Sequence, residues 1–519
     1  VGLRHGLLAA VLLGALGCGS TASNTSSSVS TSWVAGVFPA SSSVEAQCAS
    51  PRSGTDPATG RAFPDRPGST LIENNWLRSW THELYLWYRE VPDLDPASSS
   101  TTADYFKLLK TSATTASGNP KDKFHFTYPT AQWEQLSQSG VSAGYGAQWV
   151  LISSRPPRKV VVAYTEPNSP AAAVKLARGA QVLTVDGVDL VNASDQTSVD
   201  TLNAGLFPSD PGGSHTFSIL DLGASSARTV TMVAANVTET PVQNVQTLRA
   251  PGGTVGYMLF NDHIATAEAQ LIRAFGQLAS ARVGDLVLDL RYNGGGYLDI
   301  ASEVAYMIAG PGPTAGQTFE KTVFNDKYPT TDPVTGEALT PVPFHTTSLG
   351  FSGPQGVALP TLNLSRVFVL TSSNTCSASE SIVNSLRGVG LEVIQIGTTT
   401  CGKPYGFYPA DNCGTTYFSI EFMGVNAQGF GDYPDGFSPA NTGSKPGVVL
   451  PGCSVADDFT HALGDAREAR LSAALGYRIG ASCPAAAASA SAETASPDWS
   501  AVDGLAPKSP WHQNRILRH

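Results

Sequence analysis

The sequence predicts a multidomain α/β protein, with a helical N-terminal region, a small β-rich domain and a larger α/β core. Three observations carry this prediction. The chain has 519 residues, too many for one ordinary domain. Residues 237–480 alternate short apolar runs with helical periodicity, the pattern of parallel strands joined by helices. Residues 71–135 instead repeat their large apolar side chains at helical spacing. Composition narrows the function classes. Only 14% of residues are charged and the net charge is −10, which excludes the basic face that nucleic acid requires. After the N-terminus no apolar run approaches the length of a membrane span.

Taken in order, residues 1–18 read as an export signal. Arg4 gives a short basic region, residues 7–16 an apolar stretch, and Gly17-Cys18 a processing point. Residues 19–47 are Ser/Thr-rich, lack an apolar period and are expected to form a flexible tether. Within 48–137 an irregular arm precedes a helix whose Trp76, Trp80, Leu84, Trp87 and Tyr88 share one face and which Pro92 stops; a second helix covers 102–111. Residues 138–236 lie between the helical region and the core and are expected to form a small domain of their own. In 237–480, residues 253–260 and 285–290 read as buried strands. Leu271, Ile272, Phe275 and Leu278 mark the helix between them. The pattern repeats in a strand at 366–370, a helix at 379–388 and a strand at 392–396, and a closing helix is expected over 455–478. The Ala/Ser-rich residues 481–519 are expected to be a disordered tail.

The segment TSSNTCSASESIVNSLRG puts Ser377 between an apolar run and a helix, where a hydroxyl is exposed beside a helix N-terminus. Lys403 follows 26 residues later in TTTCGKP, and upstream stands LVLDLRYNGGGYLDIA, residues 286–301. Together these resemble the S41 family of serine peptidases, the C-terminal processing or tail-specific proteases. The resemblance implies a nucleophile at Ser377 and a general base at Lys403. It further implies a helical cap, a PDZ domain and a catalytic core of the ClpP/crotonase type. Residues 144–149 (GYGAQW) stand where a PDZ domain has its carboxylate-binding loop, making Gly144, Tyr145, Gly146 and Ala147 the candidate peptide-binding residues. A lid that binds no peptide is the alternative. Ala180 departs from the aspartate usual after Arg-Gly. The N-terminus resembles a bacterial lipoprotein signal with Cys18 lipidated, and Gly19 then points to the outer membrane rather than inner-membrane retention. An ordinary signal peptide leading to the periplasm is the alternative.

Amide hydrolysis needs a nucleophile, a base and oxyanion donors. Ser377 supplies the first and Lys403 the second. A lysine ordinarily holds its proton to about pH 10.4, so it must be buried to act near neutrality. The oxyanion donors expected are the backbone N–H groups of Ala378 and Gly295. Two departures from the family pattern stand out. Phe407 occupies the position of a glutamine that orients the lysine, leaving Ser379, Tyr405 or carbonyls for that role, and the Ser-to-Lys spacing is one residue longer than usual. Asp289 and Arg291 are expected to brace the glycine loop. Asp262-His263 is the rival for a Ser-His-Asp mechanism.

Besides Cys18 there are six cysteines, an even count that suggests disulfides in an exported chain, with buried free thiols as the alternative. Cys401 and Cys413 flank a short aromatic loop and are the expected pair. No cysteine or histidine spacing suits zinc, and neither metal nor cofactor is expected. The function so predicted is an exported serine endopeptidase acting on protein or peptide substrates with free C-termini, touching the membrane only through its N-terminal lipid. A catalytically silent binding protein for peptides or lipids is the alternative. An acyl-CoA enzyme of the crotonase type fits the export signal poorly.

Overall fold

The computed structural model describes residues 33–443 and 447–486 in full and the backbone of residues 515 and 516. The signal segment with Cys18, residues 19–32 of the expected tether and most of the expected tail lie outside the described residues. Among the described residues no helix is long and apolar enough to cross a membrane.

In the N-terminal region, helix α1 (Thr70–Leu84) starts at Ser69, whose hydroxyl accepts from the Ile72 N–H. Trp76, Leu77 and Trp80 pack on Tyr105 and Phe106 of α2 (Thr102–Leu108) and on Tyr417. α1 ends well before Pro92. Tyr85 turns out of the helix and donates to Asp122 (2.7 Å), and the Leu86 N–H donates to the Ile420 carbonyl (2.7 Å). These tertiary bonds detach Trp87 and Tyr88 from the α1 stripe. The expected tether does not extend over residues 33–47, which are bonded to α1. Arg78, buried under this segment, donates to the Val34 and Val37 carbonyls, and Ser41 bonds Glu83. The region is not separate from the core either. Its strand Phe126–Pro129 pairs with Thr415–Phe418, ahead of helix α3 (Thr130–Ser139).

The middle module sits on a two-stranded stem, β1 (Val141–Gly144) pairing antiparallel with Ala235–Thr238. Above it, β2 (Ala147–Ser153), β3 (Lys159–Thr165), β4 (Gln181–Val185), β5 (Ser214–Leu220) and β6 (Arg228–Val233) form an antiparallel sheet in the order β6-β5-β4-β3-β2. β2 is therefore an edge strand. Helix α4 (Gln196–Leu206), capped by Asp195, closes a core of Trp149, Val160, Val185, Leu202 and Phe217.

The core is a six-stranded sheet of β7 (Val242–Ala250), β8 (Gly253–Phe260), β9 (Asp285–Asp289), β10 (Arg366–Thr371), β11 (Glu392–Gly397) and β12 (Gly452–Ser454), in that spatial order. β7 pairs antiparallel with β8 and the rest are parallel. Alternation buries both faces. Leu286, Leu288, Val367 and Val369 pack with α5 (Ala267–Ser280), α6 (Leu298–Ala309) and α7 (Ala378–Gly388). Val287, Phe368, Leu370 and Ile394 face α8 (Ala469–Arg478) on the other side. The closing helix is shorter than 455–478, since Asp457 is drawn into ion pairs with Arg178 and Arg291, and Glu468 caps α8 while pairing with Arg291. Past α8, Cys483 is bonded to Cys453, so the ordered chain runs beyond residue 480. The backbone of Arg515–Ile516 pairs in parallel with Gly296–Tyr297.

Candidate active site

Ser377 lies where the chain leaves β10 and enters α7, with φ 58° and ψ −118°, a conformation that residues with a Cβ rarely adopt. It is fully buried, and its hydroxyl has no hydrogen-bond partner among the described residues. Lys403 is also fully buried. Its Nζ lies 4.3 Å from the Phe407 ring centroid and 5.0 Å from that of Phe124. The residue that replaces the orienting glutamine is thus a wall against the amine. A second amine is close by: Lys123 donates to the Cys401 carbonyl (2.8 Å) and also lies over Phe124, 5.5 Å from its centroid. Burial lowers the Lys123 ammonium from its ordinary value, with Glu380 opposing.

Ser377 and Lys403 are brought together by Glu380, a residue the sequence reading passed over. Its Oε2 accepts from the Ser377 N–H (3.0 Å) and the Lys403 N–H (2.8 Å), and its Oε1 from the Gly402 N–H (2.9 Å) and Thr400 Oγ1 (2.5 Å). Burial pushes this carboxyl up, and the four donors pull it back. The signal was present in the sequence, since Glu380 stands three residues after Ser377, the spacing of a capping box.

The glycine loop closes the site. A Cβ on Gly295 would lie 2.8 Å from Ser377 Cβ, 2.9 Å from the Cys376 carbonyl oxygen and 3.0 Å from the Ala378 nitrogen, and its φ is +105°. Both facts demand glycine. The expected role of Gly295 as an oxyanion donor is not met, because its N–H donates to Asn293 Oδ1 (2.9 Å). Ser379 does not orient the lysine; its hydroxyl donates to the Asn293 carbonyl (3.1 Å). Tyr405 instead sets its ring against Trp87, 4.7 Å between centroids. His263 bonds Asn293 Oδ1 through Nδ1 (2.9 Å), and burial lowers it to about 3. Neither His263 Nε2 nor the Ser377 hydroxyl has a partner among the described residues, so the two are not bonded, and the rival triad is not assembled. Arg291 is fully buried between Asp289, Asp457 and Glu468. Asp457 also holds Arg178 of the middle module, which donates to the Tyr292 hydroxyl (2.7 Å).

The disulfides correct the sequence reading. Cys401 is bonded to Cys376, Cys413 to Cys48, and Cys453 to Cys483. Cys401 and Cys413 do not pair, because the Cys401 N–H is tied to the Thr375 carbonyl (3.0 Å), while Cys413 sits at the tip of a separate hairpin formed by Ala410–Asn412 and Thr415–Phe418. The sulfur and carboxylate cluster of Cys376, Glu380 and Cys401 is therefore no metal site, since its thiols are spent in the bridge.

In the middle module, Gly144, Tyr145, Gly146 and Ala147 line a cavity of about 430 Å³ together with Glu166 and Glu239. Burial first, and the neighbouring Glu239 second, push the Glu166 carboxyl up to about 8; burial raises Glu239 as well. Gly146 has φ +70°, and a Cβ there would meet Ser169 Cβ at 2.4 Å.

Comparison with known proteins matches residues 254–406 to Peptidase family S41 and residues 73–128 to the Peptidase S41 N-terminal domain. A curated carboxyl-terminal-processing protease of Picosynechococcus sp. is 26% identical over 270 residues, 52% of this chain and 56% of that protein. The chain thus spans little more than half the length of that relative. A crystal structure described as an S41 protease from Bacteroides fragilis shares the fold, with TM-score 0.57 and 23% identity over 78% of this chain and 97% of its own. The chain thus carries Peptidase S41 family domains, and the glycine loop, Ser377 and Lys403 all fall inside the segment that matches Peptidase family S41.

Proposed function

We propose that this chain is an exported serine endopeptidase that cleaves proteins near their C-termini through an acyl-enzyme, with Ser377 as nucleophile and Lys403 as base. The observation that carries the reading is the single Glu380 oxygen that accepts both the Ser377 and the Lys403 amide, fixing two fully buried reactive side chains around one carboxylate. In the first step Lys403 Nζ takes the Ser377 hydroxyl proton as Oγ attacks the scissile carbonyl. The Ala378 N–H, at the positive end of α7, receives the oxyanion. Lys403 then returns the proton to the leaving amine, and a water repeats the cycle on the ester. Two effects oppose each other at the amine. Aromatic rings favour the ammonium by about 0.5–2 kcal/mol, whereas burying a charge costs several kcal/mol. Proton transfer requires the neutral amine, the form that full burial works towards.

The middle module is read as a PDZ-like domain. Its edge strand β2 offers a free ladder for an extended peptide, and the loop at Gly144, Tyr145, Gly146 and Ala147 stands at the end of that ladder. With their carboxyls raised, Glu166 and Glu239 weaken the repulsion that a terminal carboxylate would otherwise meet there. Three disulfides agree with an oxidising compartment, and lipid anchoring at Cys18 belongs to the same reading.

A fluorophosphonate probe on the full chain tests the function. Labelling should map to Ser377 and vanish in Ser377→Ala. Lys403→Ala should be labelled at least about 100-fold more slowly, and the double variant should turn over no more slowly than the worse single variant, since the pair acts as one unit. Normal turnover by Lys403→Ala would assign the base to another residue. An unlabelled, folded wild type would leave a binding protein.

A further inference from the structure

The two loops that carry Ser377 and Lys403 are also joined covalently, which the peptidase chemistry does not require. Cys376 immediately precedes Ser377, Cys401 stands two residues before Lys403, and their disulfide brings the Cα atoms to 5.2 Å. Both ends are tied to the rest of the site. The Cys376 N–H donates to the Asn293 carbonyl of the glycine loop (3.2 Å), and the Cys401 N–H to the Thr375 carbonyl (3.0 Å). Inside this bracket lies Glu380. Cys401 Sγ is 3.4 Å from Glu380 Oε2, the oxygen that accepts the Ser377 and Lys403 amides. In the disulfide this sulfur carries no proton, so it donates nothing to that oxygen and leaves it to the two amides.

We propose that the Cys376–Cys401 disulfide positions the catalytic pair and acts as a redox gate, with the bonded form active and the dithiol form impaired. The proposal rests on the Ser377/Lys403 reading. The co-reactant is a dithiol reductant. Its thiolate attacks the Cys401 sulfur, the less buried of the two at 9% exposure against 0% for Cys376. A mixed disulfide forms, and the Cys376 thiolate leaves and takes up a proton. The second sulfur of the reductant then displaces Cys401, which is protonated in turn. The dithiol is oxidised to a disulfide, and the bridge gains two electrons and two protons.

Reduction therefore changes the site twice. The covalent limit on the distance between nucleophile loop and base loop disappears. At the same time Cys401 acquires an S–H facing Glu380 Oε2, in competition with the Ser377 and Lys403 amides for that oxygen. Misplacing a reacting group by about 1 Å costs on the order of 100-fold in rate. The loss should fall on kcat, because the proposed peptide groove along β2 makes no use of this bridge.

The test measures kcat and KM of the full chain before and after dithiothreitol, while thiol alkylation and mass spectrometry record which bridges have opened. Opening of Cys376–Cys401 should lower kcat about 10- to 100-fold with KM within about twofold, and reoxidation should restore it. Cys376→Ala/Cys401→Ala should start from a lowered kcat and ignore dithiothreitol, while Cys48→Ala/Cys413→Ala should keep the full response. Unchanged kcat in wild type whose Cys376–Cys401 bridge is open would overturn the gate. So would a dithiothreitol response that survives in Cys376→Ala/Cys401→Ala. If that variant does not fold, the tracking of wild-type kcat with the opening of this one bridge decides alone. A wild type that resists fluorophosphonate while oxidised removes the peptidase reading and the gate with it. Labelling at Ser377 with redox-independent turnover removes only the gate.

Discussion

At Ser377 the backbone is held at φ 58° and ψ −118°, a conformation that costs on the order of 1–3 kcal/mol for a residue with a Cβ. The neighbours over-determine it. Glu380 fixes its amide, Cys376 is bridged to Cys401, and the glycine loop presses against it from the front. Gly295 is the tightest of these contacts, and the atoms a side chain would strike there are backbone or a Cβ, none of which can swing aside. Gly295→Ala should therefore lower kcat by about 100-fold or more and destabilise the fold by about 1–3 kcal/mol. Turnover assays and a denaturant titration check the two effects separately, and a variant with wild-type turnover would show that the loop tolerates displacement. The residues proposed to do the chemistry could be nominated from the sequence because CSASE, CGKP and the triple glycine are contiguous motifs. The role given to the Gly295 amide was not, because its partner is the side chain of Asn293, and no spacing rule announces which amide a carboxamide will choose.

Among the elements, α6 carries a group whose titration opposes stability. Glu303 is fully buried, and desolvation first, with Glu268 of α5 second, pushes its carboxyl up to about 9. Glu268 is committed to the Leu349, Gly350 and Ser352 amides. An unstructured glutamate ionises near pH 4.3. Between these values the unfolded chain loses the proton and the fold keeps it, so this group makes the fold less stable as pH rises through that window. Below about pH 4.3 both states are protonated and the penalty vanishes. Glu303→Gln should raise unfolding stability by about 1–3 kcal/mol at pH 8 and leave it unchanged at pH 4. Equal gains at both pH values would trace the effect to packing. Strand β2 supports a second expectation at this scale. On the catalytically dead full chain, peptides with a free C-terminal carboxylate should bind at least about tenfold more tightly than their amides, by roughly 1.4 kcal/mol. Equal affinities would exclude carboxylate capture. Strands β8 to β11 were readable because their alternation is local. The ends of α1 and α8 were not, since Ile420, Asp122 and Arg291 pull those segments out of helix from far along the chain.

Over the whole molecule the disulfides divide the labour. Cys48–Cys413 joins residues 365 apart in sequence and fastens the N-terminal region to the hairpin that also receives strand Phe126–Pro129. Cys48→Ala/Cys413→Ala should cost about 2–5 kcal/mol of stability while leaving kcat at an assay temperature well below the transition within about twofold. Calorimetry with turnover checks this, and a matching fall in kcat would place the N-terminal region in the catalytic machinery. That pairing could not be drawn from the sequence, where six cysteines allow fifteen connectivities and nearness along the chain favoured a partner the fold keeps apart.

The stem of the middle module has a consequence for how such a chain can be rebuilt. Val141 faces Thr238 and Gly144 faces Ala235, so the chain enters and leaves the module at the same rung. Cutting both strands there frees the module as a cassette whose stumps already lie side by side, and the six-stranded sheet need not be rethreaded to accept another. Recombination could swap the middle module while the core keeps its topology, provided the newcomer supplies a latch equivalent to Arg178 on Asp457 and Tyr292.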